Sequence, residues 1–399
     1  MIKKIAIEQL RIGMYIHDLD CGWMAHPFLT NRLLVSDAAI IKKIAAAGIR
    51  AFYIDTTLGK DVEDAPTEAQ VKEELDQQIQ EIVHTAPVPR DPPTLAEEIV
   101  HARKLHGETT TLVRNMMHDV RLGKQIEVEQ CDPLVDDILD SVFRFPEALL
   151  PLSQVKSRDQ YTYQHSVSVA ALAVAFGRVL DLPREAIKSL AMGGLLHDVG
   201  KALVPEGVLN KPGKLSDAEF LAMKSHAGHT ATLLGKTPGI SEITFLAASQ
   251  HHERYDGTGY PKSLKGDAIS IYGQMLAIVD VYDAISSVRI YHQGMPPTEA
   301  LRKLFEWSKY HFNPSLVQAF IKGIGIYPAG SLVRMASKRM GIVKAVRPES
   351  LLQPVVTIFY HAETKAYQTP ETVDLSESSD KIVAHESFEA WGIDQASWL

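Results

Sequence analysis

The rhythm of apolar and polar positions changes along the chain, and each change marks a unit. Over residues 1–60, short alternations at Ile5–Leu10 and Met14–Ile16 suit strands. Helical spacing runs from Asp37 to Ala47, Gly48 stops it, and Ile49–Ile54 reads as a strand again. Residues 61–94 switch to charged positions and then to Pro87, Pro89, Pro92 and Pro93, the composition of a linker with some helix in it. Residues 95–149 read as a helical connector, with Leu134, Ile138, Val142 and Phe143 on one apolar stripe.

Residues 150–329 are read as almost all helix. Candidates run over Tyr161–Leu180 and over Glu185–Asp198, the latter closed by Gly200 as a stop signal. Ser216-Asp217-Ala218-Glu219 is a capping box that opens a helix to about Gly235. Ile240–His252, Tyr272–Ser287 and Thr298–Trp307 follow. From residue 330 to 399 the texture turns to β, with strands expected at Ser331–Met335, Gly341–Val346 and Pro354–Tyr360. The expectation is a mainly α protein: an all-helical domain, a small α/β N-terminal domain ahead of it and a short β-rich extension behind it.

Charge and cysteine usage narrow the partners. Lys+Arg 41 against Asp+Glu 49 gives a net charge of −8, which argues against a protein that coats a nucleic acid polymer through a general basic field. An anionic small molecule would have to be held by cations gathered locally. Cys21 and Cys131 are the only cysteines, so neither a disulfide framework nor a Cys-rich zinc site is available, and a reducing cytoplasm fits. No stretch approaches the ~18 apolar residues of a membrane span.

The candidate chemistry lies in the helical unit. Five of the 16 histidines fall in specific settings: Gln164-His165-Ser166, Leu196-His197-Asp198-Val199-Gly200-Lys201, His226 inside the capped helix, and His251-His252 at the end of another. Asp280 sits in the apolar run Ile278-Val279-Asp280-Val281. One histidine on an apolar face is ordinarily a core residue. A carboxylate in a core is different, because an unpaired buried charge costs several kcal/mol or neutralises itself. A cation answers that need. Adjacent His197 and Asp198 add that a carboxylate can bridge two metal ions while the imidazole binds one of them. Five imidazoles and two carboxylates without a thiolate suit iron, manganese or zinc rather than calcium or magnesium. They also exceed what one tetrahedral zinc uses. A dinuclear centre, which activates water near neutral pH and clamps a phosphate, is the economical reading.

At these residues the chain resembles the HD-GYP family, bacterial phosphodiesterases of the HD superfamily that cleave cyclic di-GMP. The likeness covers residues 150–330: His165-Ser166, the His197–Lys201 segment, Leu209-Asn210-Lys211-Pro212-Gly213-Lys214, His226, the run from His251 to Pro261 with its Gly257-Thr258-Gly259-Tyr260-Pro261 loop, and Asp280-Val281-Tyr282-Asp283. The segment around Trp23-Met24-Ala25-His26-Pro27-Phe28 looks like a small domain often found before such catalytic domains.

The resemblance implies an HD-type metal-dependent phosphohydrolase fold and two transition-metal ions, iron or manganese first, with zinc, nickel or cobalt as alternatives. Metal ligands would be His165, His197, Asp198, His226, His251, His252 and Asp280. Catalytic residues would be Asp198, Asp283 and Lys201, the last stabilising charge on the phosphate or assisting the leaving group. Gly257, Gly259, Tyr260, Pro261, Arg254, Arg289, Lys211 and Lys214 are the candidates for substrate contact; guanidinium forks suit phosphate and guanine alike. The implied reaction turns cyclic di-GMP into linear pGpG, with GMP as a further product.

Two features depart from the family. Where some members carry a third-metal Glu, this chain has Tyr161. The Arg289-Ile290-Tyr291-His292 segment ends in histidine where a basic residue is common. The alternatives are another cyclic dinucleotide such as cyclic GMP-AMP as substrate, a silent sensor of the ligand, or an iron site that reads redox state. A homodimer and a signalling protein partner stay open.

Overall fold

The computed structural model describes residues 1–21, 28, 31–83, 95–154, 156, 160–211, 213–287, 294–347 and 350–398. The Trp23–Pro27 segment and Arg289–His292 therefore lie outside the described residues.

The chain opens with β1 (Ile2–Ala6), β2 (Tyr15–Asp18), β3 (Leu33–Leu34), α1 (Ala38–Ala46) and β4 (Ala51–Asp55), which form an antiparallel sheet in the order β1-β4-β2-β3. The Asp37 carboxylate caps α1 by accepting from the Ala39 and Ile40 amides. Ile5, Ile16, Ile44, Phe52 and Ile54 close a core of their own.

Helices follow: α2 (Glu68–Val83), α3 (Leu95–Arg121), α4 (Asp132–Arg144), α5 (Pro146–Leu149), α6 (Tyr161–Val179), α7 (Arg184–Leu196), α8 (Glu206–Leu209), α9 (Asp217–Leu234), α10 (Glu242–Gln250), α11 (Ile271–Ser286), α12 (Pro297–Trp307) and α13 (Pro314–Ile324). Helix α6 is buried without interruption from His165 to Gly177. A helix apolar on all sides belongs at the centre of a bundle, and α3, α4, α7, α11 and α13 pack around it. The proposed capping box of α9 is present: Ser216 Oγ accepts from the Glu219 amide and Glu219 accepts from the Ser216 amide. The stripe of α4 faces the core through Ile138 and Val142.

Within the stretch read as a linker, α2 buries Val71 and Leu75 in the main core, and its Asp76 pairs with Arg302 at 2.8 Å. Sequence rhythm alone did not find α13. Behind the bundle, β5 (Leu332–Met335), β6 (Arg339–Ala345), β7 (Val355–His361), β8 (Ala366–Asp374) and β9 (Ile382–Glu386) form an antiparallel sheet in the order β8-β7-β6-β5-β9. The β texture thus extends past Tyr360. Strand β8 evaded detection because its first seven residues are all exposed, which leaves no apolar alternation.

Candidate metal centre

The bundle brings the seven predicted ligands to one place. His165 comes from the first turns of α6, His197 and Asp198 from the end of α7, His226 from the middle of α9, His251 and His252 from the end of α10, and Asp280 from the middle of α11. His165, His197, Asp198, His226, His251 and Asp280 are buried, and His252 is nearly so.

Backbone geometry aims the imidazoles. His197, His226 and His251 each donate from Nδ1 to the carbonyl three residues earlier, Gly194, Met223 and Ala248, all at 2.7 Å. Each bond commits Nδ1 to the backbone and turns Nε2 inward, the atom a cation would take. The inward Nε2 atoms of His197 and His251 are buried with no hydrogen-bond partner. His226 Nε2 and His252 Nε2 meet at 3.0 Å. Ring nitrogens crowded at this distance, beside the orphaned Nε2 atoms of His197 and His251, suit a cation site better than a finished polar network.

The carboxylates complete it. Asp198 Oδ2 lies 3.3 Å from His197 Nε2 and 3.8 Å from His165 Nε2, while its Oδ1 lies 3.4 Å from His226 Nε2. Asp280 Oδ1 lies 2.9 Å from His165 Nε2 and 3.6 Å from His197 Nε2, and its Oδ2 lies 3.8 Å from His252 Nδ1. Three donor groups each gather within 4.8 Å: His226 with His251 and His252, His165 with His197 and Asp280, and His197 with Asp198 and His251.

Electrostatics agree. Burial would push Asp198 and Asp280 up, yet both are held well below the carboxylate range, Asp198 by His197 and Lys201 and Asp280 by His165 and His197. Burial drives His226 down to about 4 and His251 to about 3. Burial also opposes a charge on His197, but Asp198 and Asp280 overcome it and lift that ring to about 10. These acids draw positive charge to this spot. The neutral rings of His226 and His251, together with the paired carboxylates, fit transition-metal cations.

Around this core the predicted residues separate. Lys201 reaches Asp198 at 2.5 Å and, with Arg254 and Tyr260, lines the cavity over the cluster. Asp283 does not face the cavity. It lies behind His165, accepting its Nδ1–H at 2.6 Å and pairing with the buried Lys156, which also donates to Ser287 Oγ at 2.6 Å. Lys211 pairs with Glu219 at 2.6 Å, Lys214 is exposed, and neither lines the cavity.

The glycines of this loop serve its own folding. Gly257 adopts φ +85°, and a Cβ on Gly259 would stand 2.3 Å from the Arg254 amide nitrogen, so this glycine admits its own chain. Glu253 holds the same loop by accepting from the Lys262 and Leu264 amides at 2.7 and 2.9 Å. Pro261 is exposed and follows a cis peptide bond.

Gly200 is not a stop signal. A Cβ there would lie 2.1 Å from the His226 carbonyl, so glycine is what lets the turn after Asp198 press onto α9. Thr230 locks that contact by accepting from the Gly200 amide and donating to the His197 carbonyl.

Sequence reasoning missed Lys156, Glu253, Trp307, His311 and Phe312, the last four of which line the cavity. Glu253 directly follows His251-His252 and was visible in the motif. Nothing local marked the others. Tyr161 stacks on His165 with ring centroids 5.9 Å apart.

An all-helical bundle that turns a His-Asp pair and its partner histidines inward defines an HD-domain protein, and a family model described as HD domain matches residues 151–316. A model described as a domain of unknown function (DUF3391) matches residues 2–131. The chain is 39% identical to a cyclic di-GMP phosphodiesterase of Pseudomonas aeruginosa over 98% of its own length and 94% of the relative's. It belongs to the HD-GYP family. Over shorter stretches it is 40% identical to a cyclic di-GMP phosphodiesterase of Vibrio cholerae serotype O1, covering 44% of this chain and 38% of that one. It is also 38% identical to a 3′3′-cGAMP-specific phosphodiesterase of the same organism, covering 39% and 36%.

Proposed function

We propose that this chain is a metal-dependent phosphodiesterase that hydrolyses cyclic di-GMP to linear pGpG, with GMP as the product of a second round. The observation that carries the reading is the convergence of seven side chains, among which the buried Nε2 atoms of His197 and His251 have no hydrogen-bond partner. A relative of that activity matching nearly end to end supports the substrate. In the reaction a water oxygen bonds to phosphorus, the P–O3′ bond breaks and the 3′ oxygen leaves with a proton.

His165, His197, Asp198, His226, His251, His252 and Asp280 would hold two transition-metal cations, iron or manganese before zinc, nickel or cobalt. The two oxygens of Asp198 face different imidazoles, which suits it to bridge. When bound, such a pair supplies an activated water and neutralises phosphoryl charge. The chain's own groups do the rest. Lys201 stands at the cluster's edge, where an ammonium stabilises oxyanion charge or delivers a proton to the departing oxygen. Arg254 offers a guanidinium to phosphate or guanine from the cavity wall. Asp283 holds the His165 ring in its tautomer, and Lys156 neutralises Asp283 from behind.

We assign this chemistry to residues 150–329, with residues 1–60 as a regulatory unit. None of the described helices is long and apolar enough to cross a membrane. A cytoplasmic site of action is supported by two cysteines left as buried free thiols. Incubating anaerobically purified, metal-supplied protein with cyclic di-GMP and identifying products by mass spectrometry tests the reading: pGpG is expected, and an intact substrate on every metal offered contradicts it. Cyclic GMP-AMP is the second substrate to include, because a relative specific for it matches over the catalytic segment.

A further inference from the structure

The cavity over the histidine cluster has one wall made by Trp307, the last residue of α12, and by His311 and Phe312 just beyond it. The N-terminal unit grips that wall from behind. Asp20, 5% exposed, accepts from the Trp307 indole Nε1 at 3.3 Å. The same carboxylate takes Lys303 of α12 at 2.5 Å and Lys4 of β1 at 2.7 Å. Glu306 of α12, 4% exposed, accepts from the Tyr53 hydroxyl of β4 at 2.8 Å and pairs with Lys4.

A second set of contacts reaches both the wall and the glycine loop. Arg50 lies over the Tyr310 ring at 5.6 Å, and its Nε stands 3.5 Å from Asp256. The backbone of Gly48 hydrogen-bonds His311. A Cβ on Gly48 would fall 2.7 Å from Thr258 Cβ, so the end of α1 abuts the loop directly. The Tyr255 amide closes the circuit by donating to the His311 carbonyl at 2.9 Å.

We propose that the N-terminal unit sets the shape of the substrate cavity, with Asp20 as the positioning residue that fixes Trp307 in the wall facing the cyclic dinucleotide. An indole buried to 6% exposure along an apolar wall offers a flat face to a purine, but only while its ring plane is held. Asp20 holds it through the one polar atom the indole has. The grip acts on substrate fit and leaves the metal ligands alone, since no ligand touches the N-terminal unit in the contacts above. The unit is thus part of the substrate site as well as a place where a signal can act: loosening its hold would raise KM without disarming the chemistry. The proposal rests on the assignment of a cyclic dinucleotide as substrate.

The test uses full-length, metal-loaded protein and two substrates, cyclic di-GMP and bis(4-nitrophenyl) phosphate, a diester with no purine to place. Asp20→Ala should raise KM for cyclic di-GMP about tenfold with kcat held within about twofold, and should leave turnover of the nitrophenyl diester unchanged. Trp307→Phe should raise the same KM, and adding Asp20→Ala to it should add almost nothing, because the two act through one contact. If Asp20→Ala folds poorly, Arg50→Gln, at a half-exposed contact of the same docking face, should give a smaller rise of about threefold in KM. An unchanged KM in both Asp20→Ala and Arg50→Gln overturns the proposal. So do fully multiplicative effects of Asp20→Ala and Trp307→Phe, and so does a parallel loss on both substrates. A wild type that cleaves the nitrophenyl diester but not cyclic di-GMP overturns the substrate assignment first, and is told apart by that wild-type result alone.

Discussion

Two of the carboxylate groups that this chain buries are neutralised in different ways. Asp20 and Glu306, at the seam between the N-terminal unit and α12, find Lys4, Lys303, the Tyr53 hydroxyl and the Trp307 indole, so each charge has a partner within the protein. Asp198 and Asp280 sit among five imidazoles, of which burial keeps His226 and His251 neutral, with Lys201 as the cation closest to Asp198. The first group is a closed fastening. The second is arranged for cations that come from outside, because two buried acids beside neutral rings such as His226 and His251 leave a demand for positive charge. Structural and catalytic burial of charge are thus distinguished by who supplies the counter-ion.

The largest break in that comparison comes at Asp198. Asp198→Asn keeps the shape but removes the charge that both sets of ligands share, so cyclic di-GMP turnover should fall by about 10³-fold or more. Metal content measured by elemental analysis should fall with it; full loading with wild-type turnover would show that the second group needs no outside cation. At the seam, Asp20→Ala strips Lys4 and Lys303 of a buried counter-charge and should lower stability to urea by ~3–5 kcal/mol. Chelation should leave the size of that effect unchanged. Asp283→Asn weakens the grip on His165 and should cost about 10–100-fold in metal affinity, read by competition with a chromogenic chelator. An unaltered affinity would make Asp283 a bystander.

Acid separates the two groups most finely. His226 and His251 sit below their ordinary value, so on acidification the unfolded chain takes up protons before the folded one. Stability contributed by keeping them neutral is therefore lost as pH falls from about 6.5 toward about 4. His197, raised to about 10, works in the opposite sense and contributes fully below about 6.5. Metal-stripped protein should lose on the order of 1 kcal/mol per lowered histidine per pH unit across this window. Asp20 is held below its ordinary value, chiefly by Lys303 and Lys4 against the pull of burial, so its contribution persists until pH falls below about 3.8. Thermal melts of stripped protein at graded pH check this; a flat profile between pH 6.5 and 5 would contradict it.

How much was legible beforehand follows from how each feature is encoded. Most helices of the bundle, α13 excepted, and all seven convergent side chains were readable, because burial imposes apolar periodicity and a carboxylate inside an apolar run such as Ile278–Val281 stands out. Gly200 was misread because sequence marks a glycine without saying whether it bends the chain or makes room for a neighbour. Lys211 and Lys214 looked available for substrate, since local sequence does not show that Glu219, eight residues on, claims Lys211. The Asp20–Trp307 contact spans 287 positions and has no local periodicity. Only the docked fold reveals it.

The most direct test of the central claim is a count of metal per chain, joined to activity. Protein purified without oxygen should carry about two transition-metal equivalents, lose cyclic di-GMP turnover on complete chelation and regain it when iron or manganese is returned. Undiminished turnover in protein stripped of metal, or a chain that binds no transition metal while its seven ligands are intact, would contradict the account.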